Sequence, residues 1–438
     1  MRRSSALLSS LVVAACVSGS KAIPAAPPAP GPLLGQVAPR YSGTRALETV
    51  AFLDQYVRWP GNRGFDASIA HIVERLQQAG YVRQEQAAPD DRLTYRVERY
   101  PMPNPAWEPL DAVVTVEGVA EPVLRFATNR NLLATNSWAT PAAGVAGELV
   151  DAGKGTPTEL DAANVRGRIV LANASVGKLF SEAVVKRGAL GVLGYNMPAY
   201  TQPQVNIHSI QFGGIPYDST RKAWAIALSY DAHQRLQVAL ARGPVRVRVV
   251  SAVQWTPDAT EQTVVAEVRG SQRPDERFVF SAHVQEPGAN DNASGVGAQV
   301  EMARVTADLV RAQTIDPQRT VTFLWGLEIR STDRFITQDS ARARGIMWGL
   351  SLDMVGENTS KTGGTFLIEK MPDPSAIWTR GEDRHSEWGG SPLTKAQMTP
   401  HYFADDAPLL QRLRAGALPR GGGNDWLGGE DEPLRRGQ

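Results

Sequence analysis

The chain has 438 residues, enough for more than one average domain and for a sizeable buried core. Hydrophobic residues make up 42% and charged residues 21%, the ordinary globular range, which excludes a disordered or fibrous class. Lys plus Arg (46) nearly cancels Asp plus Glu (45), and a net charge of +1 gives no reason to expect nucleic acid or an acidic membrane surface as partner.

At the N-terminus, Arg2 and Arg3 precede an apolar stretch over 6–15 with the length and charge order of a secretory signal peptide. It is too short to span a bilayer, and no later apolar run approaches the ~20 residues that a spanning helix needs. The stretch ends Val13-Ala14-Ala15-Cys16, small residues ahead of the only cysteine in the chain. That is the pattern of a lipoprotein signal, and it predicts an exported periplasmic or cell-surface protein anchored through a lipid on Cys16. An ordinary signal cleaved near Ser20 or Ala22 is the alternative reading. With one cysteine, disulfides and thiolate metal ligands are excluded from the body. Residues 22–40 are rich in Pro and Ala and predict an extended tether following a signal segment at 1–21.

Structure is expected from Tyr41 onward. A helix is predicted over 46–56 and a stronger one over 66–79, capped by Asp66, with Ile69, Ile72, Val73 and Leu76 on one face and Gly80 as its stop. His71 falls in this helix and reads as structural. From 139 to 252 the texture changes to short strands punctuated by glycine, with His208 and His233 among them. The strand, helix, strand pattern around "KRGALGVLGY" resembles the protease-associated domain, a small β-rich insert. The main domain is then expected at 41–138 and 253–438.

After Val253 three apolar, β-rich runs, 278–282, 320–325 and 346–352, alternate with helical stretches. This predicts an α/β fold, a mixed, mainly parallel sheet flanked by helices, with a small β-rich inserted domain. In such sheets ligands gather at the carboxyl ends of the strands. The first run ends in His283, the second reaches Glu328 and the third ends in Asp353, all nitrogen or oxygen donors competent to bind zinc. Between the first run and its helix lies "PGANDNASG", whose Gly288 and Asn residues permit a tight loop with positive φ. Such a loop brings Asp291 back towards His283, with Ser294 or Asn292 capping the next helix. A carboxylate in that place can bridge two cations.

The stretches "FVFSAHVQEPGANDNASGVGAQVEMARV", "RTVTFLWGLEIRST" and "GLSLDMVGEN" together resemble metallopeptidase family twenty-eight, the di-zinc aminopeptidase family, which also includes glutamate carboxypeptidases and glutaminyl cyclases. The resemblance implies a zinc-dependent exopeptidase acting on peptide substrates. It implies that His283 and Asp353 hold one zinc, that Glu328 helps to hold a second, and that Asp291 bridges the two. A Glu would take the proton of the attacking water, and Glu328 is the candidate for that catalytic role.

The chain departs from the family pattern at three places. Gln285 stands where the family has an Asp that orients the histidine, and Leu327-Glu328 stands where it has two adjacent glutamates. No histidine occurs in the Gly- and charge-rich tail after His401, where the family supplies a last ligand. A lost or frame-shifted C-terminus is one expectation from this tail. His385 and His401 are the remaining substitutes, though both read as surface or loop residues. The ligand count then predicts one tight zinc instead of two. Two further readings stay open: a non-catalytic surface lipoprotein that binds peptides, and a single-zinc acyl transferase of the glutaminyl cyclase kind. Oligomeric state is not legible.

Overall fold

The computed structural model describes residues 32–356, and the chain divides into two units after Arg40. In the first unit Pro32–Val37 form helix α1 and Ala38–Arg40 a 3-10 turn, so the end of the expected tether is helical. Proline is tolerated at the first helical position, where its missing N–H has no intrahelical partner, and 33–37 contain no other proline.

The second unit begins with α2 (Gly43–Leu53) and α3 (Arg63–Gln78). The cap of α3 is Asn62, whose side chain accepts the Phe65 N–H at 2.8 Å. Asp66, the expected cap, sits inside the first turn and accepts a hydrogen bond from Gln262 at 2.6 Å. Asn62 wins because its short amide reaches the free N–H groups one turn earlier. Ile69, Ile72 and Leu76 are buried as their spacing predicts, and Gly80 follows the helix at φ +88°. His71 is buried and stacked on Phe52, ring centroids 4.0 Å apart, which makes it a packing residue.

Chain order continues through β1 (Val82–Arg83), β2 (Leu93–Pro101), β3 (Ala106–Val116), β4 (Leu124–Arg125), β5 (Val145–Asp151), α4 (Pro157–Ala162) and β6 (Ile169–Ala172). Helix α5 (Val176–Leu179) runs on into π-helical turns, followed by β7 (Gly191–Gly194), β8 (Ala225–Ala227), α6 (Tyr230–Ala241) and β9 (Val245–Thr256). The last described stretch holds β10 (Thr260–Val268), β11 (Arg273–His283), α7 (Ala293–Arg311), β12 (Arg319–Gly326), α8 (Arg330–Thr337), α9 (Ser340–Arg344) and β13 (Ile346–Ser351).

One sheet has the order β1-β2-β10-β12-β11-β13. Strand β10 runs antiparallel to β2 and to β12, while β1–β2, β12–β11 and β11–β13 are parallel, so the sheet is mixed and mainly parallel. The three expected runs are its parallel trio, with β11 in the middle. Ala282 lies beside Trp325 and Ser281 beside Ser351, so the trio's carboxyl ends come out level. Alternation along the strands covers both faces. Val264, Ala266, Phe323 and Trp325 pack with residues of α2, α3 and α7, while Val265 and Leu324 pack on the other side with Phe335 of α8.

The second sheet has the order β4-β3-β9-β5-β6-β7-β8, antiparallel from β4 to β5 and parallel from β5 to β8. It draws strands from 106 to 256 and is wider than the insert expected at 139–252. Strand β3 was hidden in the sequence because its register against β9 shifts between Pro109 and Asp111, which breaks the alternation that marks a strand. Its Trp107, Ala112 and Val114 belong to the core of this second sheet.

Candidate metal centre

His283 closes β11 and is only 6% exposed. Its Nδ1 lies 3.3 Å from the carbonyl oxygen of Gln285, which can only accept, so the proton sits on Nδ1 and the Nε2 face is left for other partners. That Nε2 is 3.4 Å from Asp291 Oδ1 and 3.4 Å from Asp353 Oδ2. One ligand atom from each of the three lies within 4.8 Å of the others; among the described residues this is the group able to hold a metal ion.

Two loops deliver the carboxylates, and Asn292 ties them together. Its side-chain nitrogen donates to Leu352 O at 2.9 Å, at the end of β13. Its oxygen accepts the Gly295 N–H at 3.0 Å, capping α7, and the Met354 N–H at 3.3 Å. One buried amide therefore sits between Asp291 and Asp353 in space and adjoins the first in sequence. The approach is close enough that a Cβ at Gly295 would collide with the Leu352 carbonyl. Ser294, the other expected cap, instead donates to Asn290 O at 2.7 Å.

The approach to Asp291 is held from below by Arg58, a residue the sequence did not mark. Arg58 is fully buried and spends its guanidinium on backbone carbonyls: Val284 at 3.0 Å, Leu53 at 2.8 Å, Tyr56 at 3.4 Å and Gly288 at 2.7 Å. Its own carbonyl accepts the Glu286 N–H at 3.1 Å. Burial pulls the guanidinium down to about 10, so it stays charged at neutral pH. The loop's positive φ falls on Glu286, at +88°, and not on Gly288 as expected. Gly288 is needed for a different reason, since a Cβ there would strike the Asp291 carbonyl.

Electrostatics mark the cluster as a place for a cation. Burial, then the charge of Asp353, pushes Asp291 above the usual carboxylate range. Burial alone would lower His283, but the hydrogen bond and charge of Asp353, with Glu286 and Asp291 behind them, carry it above its usual value. Glu286, also unmarked in the sequence, is pushed up to about 8 by burial and by the charge of Asp291. Its one sequence signal is an acid placed between a donor-bearing strand end and a turn.

Glu328 departs from expectation. It follows β12 on an exposed turn, and its carboxylate is not one of the clustered ligand groups. Its backbone N–H donates to Gln285 Oε1 at 2.8 Å, the Leu327 N–H donates to Ser331 Oγ at 2.7 Å, and Ile329 takes φ +58°. These bonds hold the turn while its charge still acts on Asp291 and Glu286. Leu327 is 8% exposed and packs into the apolar core with Val284 and Trp325, and its side chain has no atom that could accept a proton. His208 and His233 take no part in the trio. Cys16, His385 and His401 lie outside the described residues.

An imidazole nitrogen and two carboxylate oxygens suit zinc, which takes three protein ligands and one open position in sites that do chemistry. Two carboxylates at such short range are also a set whose mutual repulsion a cation relieves. A mixed sheet presents these donors at the carboxyl ends of its parallel strands, where α/β folds place their ligand sites. Residues 263–376, which hold all three donors, match the model of Peptidase family M28.

Among solved structures, the chain is similar to BSAP, a zinc aminopeptidase from Bacillus subtilis, at 17% identity and TM-score 0.53, covering 81% of this chain and 79% of that one. It is similar to a Peptidase M28 precursor from Shewanella amazonensis at 20% identity and TM-score 0.53, covering 73% of each chain. Both likenesses concern the fold.

Proposed function

We propose that this protein is a zinc-dependent aminopeptidase that releases N-terminal amino acids from peptides outside the cytoplasm. The observation that carries the reading is the convergence of His283, Asp291 and Asp353 at the carboxyl edge of the parallel trio, inside the segment that matches Peptidase family M28. His283 Nε2, Asp291 and Asp353 would hold the ion. When bound, zinc would polarise a peptide carbonyl and lower the pKa of water.

The chain's own residues do the rest. Gln285 O fixes the histidine tautomer, and Asn292 sets the spacing of the two carboxylates. Glu328 is the proton acceptor of this reading, placed on an exposed turn whose backbone Gln285 holds. A second zinc would have only Asp291 and Glu328 from the described donors, so one tight ion is expected.

The test is metal analysis of purified protein beside hydrolysis of an aminoacyl-anilide. One tight zinc with measurable turnover, lowered about 10²–10⁴-fold by Glu328→Gln, supports the reading. Zinc without turnover would favour a peptide-binding protein that keeps the fold, a reading supported by Leu327 lying in the core at the family's base position. No zinc at all would overturn both the metal site and the enzyme.

A further inference from the structure

A second hollow, sharing no residue with the metal centre, opens at the carboxyl ends of β6 and β7 in the other sheet. It has a volume of about 440 Å³ and is lined by Asn173 after β6, Tyr195 and Asn196 after β7, and the α6 residues Tyr230, His233, Gln234 and Gln237. The α6 residues recur at helical spacing, so one face of that helix forms the wall. Parallel strands open their ligand crevices at this end. His233 makes the position more than a surface dip. It is 4% exposed, stacked on Tyr195 at 4.5 Å between ring centroids, and its buried Nδ1 has no hydrogen-bond partner among the described residues. A buried polar atom without a partner costs roughly 1–3 kcal/mol, and a bound group that supplies the partner recovers it.

We propose that this hollow binds a neutral saccharide. No Lys, Arg, Asp or Glu lines it, which disfavours phosphates, carboxylates, cations and the charged ends of peptides. Its walls carry side-chain amides, and none of Asn173, Asn196 and Gln204 is engaged in a side-chain hydrogen bond with another described residue. Each amide offers donors beside an acceptor, the match for neighbouring sugar hydroxyls. A hydroxyl both donates and accepts, so it satisfies His233 Nδ1 in either tautomer. Burial lowers the His233 pKa against the opposing charge of Asp151, which favours the neutral ring. Tyr230 is half-buried and offers an apolar ring face to the C–H side of a pyranose.

The experiment titrates the full chain with maltose, cellobiose and diacetylchitobiose, and with N-acetylglycine amide as an uncharged peptide probe, by calorimetry and ligand-observed NMR. Saturable binding of at least one disaccharide is expected, with Kd on the order of 1 mM. His233→Phe keeps the ring stack but removes Nδ1, and Gln234→Ala alters an exposed residue that the fold does not need. Each should weaken binding by about tenfold, with zinc content and anilide hydrolysis unchanged. If His233→Phe does not fold, Gln234→Ala decides. No saturable disaccharide, equal affinity in wild type and Gln234→Ala, or binding of the peptide amide alone would each overturn the proposal.

Discussion

At the scale of residues, the site is a small set of donors whose roles follow from what each touches. Asp291 faces His283 Nε2 at 3.4 Å, so removing it takes one of the three donors from the trio. His208 sits on an exposed loop of the second sheet, where its carbonyl accepts from Asn129 at 2.7 Å. Asp291→Ala is expected to lose zinc by tenfold or more in affinity, about 1.4 kcal/mol at least, while His208→Ala keeps it. A chelator competition on the two variants measures this, and equal retention would show the site misplaced. The trio was legible because each member ends or follows a β-rich run. The position of the Glu328 carboxylate was not legible, because it depends on a left-handed residue at 329 and on an amide at 285 that binds its backbone.

Between elements, the loop from β11 to α7 holds its shape through contacts from helix α2 and the turn after it. Arg58 satisfies carbonyls from both segments, and a buried acceptor stripped of its donor costs roughly 1–3 kcal/mol. Arg58→Met should therefore destabilise the protein by about 3 kcal/mol or more, since several carbonyls lose their donor together. Arg58→Lys should recover only part of this, because an ammonium cannot reproduce the planar fork. Chemical denaturation of the three proteins tests the ranking; a Lys variant as stable as wild type would contradict it. The element itself left no trace in the sequence. Its partners are main-chain carbonyls, which every residue carries, so no pattern of side chains announces the contact.

For the whole molecule, the chain combines a sheet whose parallel trio lies in the segment that matches Peptidase family M28, a second sheet, and an N-terminal segment that reads as an export signal. If Cys16 carries a lipid, the protein should partition into detergent and incorporate labelled fatty acid, and Cys16→Ser should abolish both. Soluble, unlabelled wild-type protein from the same host would remove the anchor from the proposal. Among the described residues no helix is long and apolar enough to cross a membrane.

Local pattern was enough to determine the α/β class, the parallel trio of strands and the helix at 63–78 to within a turn, and it singled out the three donors that the structure brings together. These follow from period, from strand ends and from a Gly- and Asn-rich loop, all of which act over a few residues. Only the tertiary structure decided which of Ser294 and Asn292 caps α7, which residue takes the positive φ, how far the second sheet extends, and where Glu328 stands relative to the trio. Each of those depends on partners far apart in the chain: Asn292 with Leu352, Glu286 with Arg58, β3 with β9, and Glu328 with Gln285. Pairings of that range are set by the packing of whole elements, and no local signal in the chain encodes them.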